Sequence, residues 1–337
     1  MTDSTNQARR PAPGRSAPAM PSAGPGSGPA AAPVPGPVTI DDLAAYRAVP
    51  TQRASAENLG PLQNLPGFWE GTGFNLIARP DFADNSPNGI FLELNLLRET
   101  IEFTTIGSPV FNRGSLQDDI AIYGVTYLHR VTDGVTGEAL HIEPGIWLNI
   151  PETTDPQADA SIARLATIPH GNAICTVGFV QEVVPDGLPT IPPANTVPFP
   201  IGGQPPAPGT PNPLPEYDLS TDSGFRTNPL PPGLTQDVIN DPNVPLRQTL
   251  ADQAAAGQVL THITRLITTT ANAGIANIPF IVSNANVPAL ESVFAIETVQ
   301  GPQGREYQQL QYSQTALLNF GGHSYPHVTI GTLVKAF

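Results

Sequence analysis

His141 and Glu143 stand two residues apart in the run Ala139-Leu140-His141-Ile142-Glu143. In an extended segment that spacing puts both side chains on one face. An imidazole beside a carboxylate suits acid–base catalysis, or a metal when a third donor joins. The same pair also suits a plain hydrogen bond between buried polar groups. Tyr127 and His129 share one parity in the preceding apolar run and are placed to join the pair from a neighbouring strand. A further imidazole, His327, opens the last apolar alternation, and His323 lies four residues earlier, across Pro326. Val328, Ile330 and Val334 fall on the face opposite His327. A core built on them turns His327 outward, unless a turn or bulge at Pro326 reverses it. His170 and His262 have no context beyond loop and surface positions. No Ser-His-acid order, phosphate loop or zinc-ligand spacing occurs.

Strands must position these residues. Gly67-Phe68-Trp69-Glu70-Gly71-Thr72-Gly73 puts Gly67, Trp69, Gly71 and Gly73 on one face. Glycine weakens a strand, so such a run marks a bend, a bulge or another body pressed against the backbone. It fits the first strand of a small closed barrel stoppered by an indole, and equally a glycine-rich turn beside a core tryptophan.

The chain has 337 residues with 40 prolines and 31 glycines. Residues 1–37 are rich in Pro, Gly, Ala and Ser and are expected to be disordered. Thr39-Ile40-Asp41-Asp42 resembles a capping box that opens a short helix ending near Pro50. Residues 38–337 are expected to form one domain. Between Ile90 and Thr105 the apolar set changes parity from Leu92, Leu94 and Leu96 to Leu97, Ile101 and Phe103, the mark of a bulge or strand break. Ile120 to Val131 and Glu138 to Ile150 read as a hairpin. In its second arm Leu140, Ile142 and Ile146 oppose His141, Glu143 and Trp147. Strands follow at Ser161 to Ile168 and Ala173 to Val183.

Residues 185–245 are proline-rich and read as an irregular arm, wrapped over the barrel or reaching to another copy of the chain. A helix is expected over Pro245 to Gly257 and a strand over Gln258 to Thr270, then strands at Leu290 to Val299, Glu306 to Phe320 and His327 to Val334. About eight to ten strands with few helices predict an all-β, antiparallel up-and-down barrel.

Only 13% of residues are charged and the formal net charge is -14, which argues against nucleic acid or anionic membrane as partner. The single cysteine, Cys175, precludes an intrachain disulfide. Arg9-Arg10 is followed by no apolar segment, so a cytoplasmic protein is expected.

The stretch from Gly67 to Gly73 resembles the GxWxGxG signature of the nitrobindin family, barrels that hold haem b. Gly137 to Gly145 is similar to that family's G-x-x-L-H-x-E-x-G hairpin, and His327 to Lys335 to its closing strand; Pro169-His170-Gly171 with Val177-Gly178 matches less closely. The resemblance implies haem b ligated by His327, with His323 as the fallback ligand. Trp69, Gly71, Gly73 and Gly331 would lie around the cofactor, and Gly331 would let a flat ligand approach closely. It also implies peroxynitrite isomerisation to nitrate on an open distal face that meets small nitrogen oxides or peroxides. Phe74-Asn75-Leu76-Ile77 replaces the family's Tyr-Pro-Thr-Ile-like segment. Two other readings stand beside it: a metal-free carrier of an apolar metabolite, and a cofactor-free enzyme using His141, Glu143 and Tyr127.

Overall fold

The computed structural model describes residues 57–83, 85–207 and 209–336. The tail at residues 1–37 and the helix expected after Thr39 lie outside the described residues. Ten long strands run β1 (Gly67–Pro80), β2 (Ile90–Thr105), β3 (Ile120–Asp133), β4 (Ala139–Ile150), β5 (Ser161–Ile168), β6 (Asn172–Val183), β7 (Val259–Asn277), β8 (Asn286–Gln300), β9 (Glu306–Phe320) and β10 (His323–Lys335). Each pairs antiparallel with the next, and β1 pairs with β10 from Trp69↔Lys335 to Leu76↔Val328. The result is the expected closed up-and-down barrel.

The bare face of β1 is explained at this closing seam. A Cβ on Gly71 would stand 2.1 Å from the Thr332 carbonyl oxygen and 2.6 Å from the Leu333 Cα. The body pressed against the glycines is therefore β10 itself. Below the seam Trp69 is fully buried with Leu59, Leu62 and Leu65, which plug one end of the barrel. Its indole donates to the Leu65 carbonyl at 2.8 Å, and Lys335 Nζ lies 5.5 Å from the ring centroid.

The parity change in β2 is not a bulge. Pairing with β1 runs unbroken from Gly67↔Phe103 to Pro80↔Ile90, so the strand is regular and what changes is the face that is covered. Leu97, Ile101 and Phe103 point into the barrel. Leu92 and Leu94 point out of it and are buried under the proline-rich arm, against Ala194, Tyr217, Val238 and Ile239. Helix α1 (Gln236–Asn240) supplies two of those residues, and α2 (Val244–Ala255) adds Leu246. The arm also pairs the part of β2 that extends beyond β3: Leu92 N donates to Phe225 O, and Thr227 N donates to Leu92 O, both at 2.9 Å. An edge that would otherwise be unpaired is closed in this way. Arg226, nearly buried, ties the arm together by donating to the carbonyls of Glu216, Asp218 and Thr221.

The same cover corrects the reading of β10. The strand starts at His323 and continues through Pro326 without a register shift. Val328 and Ile330 are buried, but on the outer face beneath the arm, together with Phe74 and Leu76. His327 therefore faces inward with no turn at Pro326. Pairing with β1 begins only at Val328, so Pro326 sits where that side of the strand is free and its missing N–H costs no ladder bond. A short helix, α3 (Pro279–Asn284), follows β7. No helix among the described residues is long and apolar enough to cross a membrane.

Leu92 is fully buried although it points away from the barrel interior, whereas Leu165 on the outer face of β5 is 37% exposed. Leu92→Ala is expected to cost about 2–5 kcal/mol in urea unfolding, and Leu165→Ala under about 1 kcal/mol. Equal small effects would contradict the arm as a second core.

Candidate functional site

Two buried carboxylates cross the barrel above the apolar plug. Glu99 on β2 shares its parity with Leu97 and Ile101, and its neighbour across the register with β3 brings His129 into reach. His129 Nε2 donates to Glu99 Oε2 at 2.8 Å, and the Tyr312 hydroxyl donates to the same oxygen at 2.6 Å. Glu99 Oε1 has no hydrogen-bond partner. It lies where a Cβ on Gly73 would stand 2.2 Å away and one on Gly331 3.0 Å away. The Tyr312 ring takes the rest of the space beside Gly331. Gly73 and Gly331 thus make room for a carboxylate and a phenol, and Trp69 and Gly71 belong to the closed end and the seam.

Glu143 on β4 is the second carboxylate, and its Oε1 accepts from Arg164 Nη2 at 2.5 Å and from the Tyr127 hydroxyl. Arg164 Nε donates to the Tyr127 oxygen at 2.9 Å and Nη1 to Gln314 Oε1 at 2.6 Å. Phe294 lies under the guanidinium, 5.0 Å from ring centroid to Cζ. Burial alone would raise the Glu143 pKa; Arg164, His141 and Tyr127 overcome it and hold the carboxyl well below its ordinary value. Burial raises Tyr127 and Tyr312 well above the ordinary phenol value, reinforced by the adjacent carboxylates and opposed by Arg164, so both stay protonated.

Imidazoles line the barrel above this belt. His141 Nε2 lies 3.4 Å from Glu143 Oε2. Its ring stacks on that of His170 at 5.9 Å between centroids, and His129 stands edge-on to it at 6.2 Å. His170 comes from the β5–β6 turn, where Gly171 has φ +109° and could not bear a side chain without strain. Burial lowers the His170 pKa, as does the neighbouring His141, against a hydrogen bond to Leu140.

On the facing wall the Asn75 amide donates through Nδ2 to His327 Nε2 at 2.6 Å and to Thr329 Oγ1 at 2.9 Å. Burial, with His141 and His170 nearby, pushes His327 down to about 3, so the ring is neutral at ordinary pH. Asn75, Asn95, His141, Gln314, His327 and Thr329 all face inward yet remain part-exposed. This end of the barrel is therefore the open one.

The structure brings together His141, Glu143, Tyr127 and His129 as the parity of their strands predicts, and sets His327 across the mouth from them. His323 is elsewhere. It is exposed at the tip of the β9–β10 hairpin beside Tyr325, lining an outer cavity of about 230 Å³ with Asn88 and Phe320. Reading the sequence missed Glu99, Arg164, Tyr312, Asn75 and the membership of His170. Arg164 left a signal: it is the one charged residue on the inward face of a strand otherwise built of Ile162, Ala166 and Ile168. Such a cation needs a buried acid.

The fold and its site define a ten-stranded antiparallel barrel, closed at one end by an indole plug and lined at the other by imidazoles and amides above a buried Glu143–Arg164 ion pair. No protein-family model and no curated protein sequence matches the chain. Among solved structures it is similar to Rv2717c from M. tuberculosis, at 14% identity over 84% of this chain and 98% of that one, with a TM-score of 0.39.

Arg164→Met is expected to destabilise the protein by about 3–5 kcal/mol, because it strands Glu143 as an unpaired buried charge. Adding Glu143→Gln should recover part of that loss. Since the Glu143 pKa is depressed on folding, its contribution is complete above the unfolded value of about 4.3 and is lost as pH falls below it. Glu143→Gln should therefore flatten the acid limb of the stability–pH curve; an unchanged limb would contradict the network.

Proposed function

We propose that the mouth of the barrel binds haem b, with His327 as axial ligand, and acts on a small nitrogen- or oxygen-centred oxidant, peroxynitrite first among them. One observation carries this reading: His327 faces inward as a neutral imidazole whose Nε2 lies 2.6 Å from the Asn75 amide nitrogen. That is the electronic state an iron ligand requires. The donor chemistry of the site fits the group in this respect, and the inward residues above the belt are part-exposed. The glycines do not form the cradle, since Glu99 and Tyr312 occupy the room at Gly73 and Gly331. The resemblance of three sequence stretches to nitrobindins points the same way.

Haem b bound at His327 would supply a Lewis-acidic, redox-active iron. The chain's own residues set its surroundings. Before the group binds, the Asn75 amide and Thr329 Oγ1 hold the His327 ring. Across the mouth, His141 and His170 offer nitrogen atoms that hold or accept a proton. Glu143, Tyr127 and Arg164 fix the floor, and the apolar plug beneath excludes water.

A second reading is favoured by the contact of His141 with Glu143, which is in turn bonded to Tyr127. Such an arrangement serves a cofactor-free site for a small molecule, with His141 as the proton-transfer group.

Titration with haemin, followed from about 350 to 650 nm, separates the two. The first reading expects a Soret band at one equivalent that His327→Ala abolishes while His323→Ala leaves it in place. A protein that stays colourless, or a band indifferent to His327→Ala, would contradict it.

A further inference from the structure

The Asn75 contact specifies more than orientation. Asn75 Nδ2 lies 2.6 Å from His327 Nε2 and 2.9 Å from Thr329 Oγ1. An amide nitrogen is a donor only, so facing Nε2 it must meet a lone pair. The His327 proton then resides on Nδ1. Thr329 Oγ1, 3.4 Å from Nε2, is already an acceptor for the same amide. In the β1–β10 register Asn75 is paired with Thr329, two residues along from the Gly73↔Gly331 pair. The amide is thus held by the closing seam itself, not by a loop.

We infer that Asn75 is the positioning residue of this site: it locks His327 in the Nδ1–H tautomer and holds the place that the bound atom of the ligand will take. A ligand at His327 must then accept a lone pair, as a metal ion does, or replace an N–H with an N–H or O–H of its own. Anions and other pure acceptors are excluded from that position. A group taking that position would displace the Asn75 amide from Nε2, leaving its contact with Thr329 Oγ1. The inference rests on the proposed role of the mouth as a ligand site, but the tautomer is a property of the protein alone.

The test uses the full chain in two variants that lose the same hydrogen bond in opposite ways. Asn75→Asp keeps the shape and replaces the donor with an acceptor, which draws the His327 proton to Nε2. Asn75→Ala removes the partner and leaves the lone pair free. Long-range ¹⁵N–¹H NMR of labelled protein reads the tautomer directly, and haemin titration reads the consequence. The expected result is an unprotonated Nε2 in the wild type, a protonated Nε2 in Asn75→Asp, and haemin affinity reduced about tenfold or more in Asn75→Asp. Asn75→Ala should bind within about threefold of wild type, since the lone pair survives there. A purely structural role would weaken both variants alike. The inference is overturned by a protonated Nε2 in the wild type, or by equal losses in the two variants. If the wild type binds no haemin, the haem reading fails while the NMR result still decides the tautomer.

Discussion

From Phe74↔Ile330 to Leu76↔Val328 the pairing of β1 with β10 is buried on both faces, and most of the architecture follows from that. Inside, the seam carries glycines where Glu99, Tyr312 and the opposing backbone press close. Outside, Phe74, Leu76, Val328 and Ile330 are shut away beneath the proline-rich arm. A strand covered on one side would have to put its apolar residues inward and its polar ones into water. Covered on both sides, β1 and β10 can keep an apolar outer face and spend the inner one on Asn75, His327 and Thr329. The arm is thus part of the site's construction although, among the described residues, no hydrogen bond joins it to Asn75, His327 or Thr329.

A second constraint comes from placing charges inside a barrel. An ionised group taken out of water is costly unless paired and hydrogen-bonded. Glu143 meets this with Arg164, Tyr127 and His141, and Arg164 in turn reaches Gln314 and the face of Phe294. Glu99 has His129 and Tyr312 on one oxygen and only glycine backbone against the other. These interactions form a rigid polar floor between a dry closed end and a mouth that solvent reaches. The floor also determines which protons are available, because the phenols stay protonated while burial lowers the pKa of His170 and His327 above it.

Much of this was legible in the chain, and the reasons are local. The alternation that puts His141, Glu143 and Trp147 on one face is a period-two pattern bounded by a turn, and the hairpin formed as read. The glycines around Trp69 correctly signalled a close approach, although the approaching body was β10 and not a ligand. The parity change in β2 was misread because a sequence records which residues are apolar and not which surface covers them. The arm, 100 residues away in sequence, supplies that surface. The same gap left the direction of His327 open, since Val328 and Ile330 serve a core outside the barrel. Residue type and spacing did not single out His170 or Asn75, since each gains meaning only from a partner on another strand: His141 for the one, His327 for the other.

The account turns on an inward His327 kept neutral by its surroundings. Following its ring signals by NMR while the pH is lowered from about 7.5 to about 4.5 tests this most directly. With a pKa near 3, the signals should not move across that range. A titration with a midpoint near the ordinary value of about 6.5 would place the imidazole in water, and the barrel mouth would lose the group on which its chemistry is built.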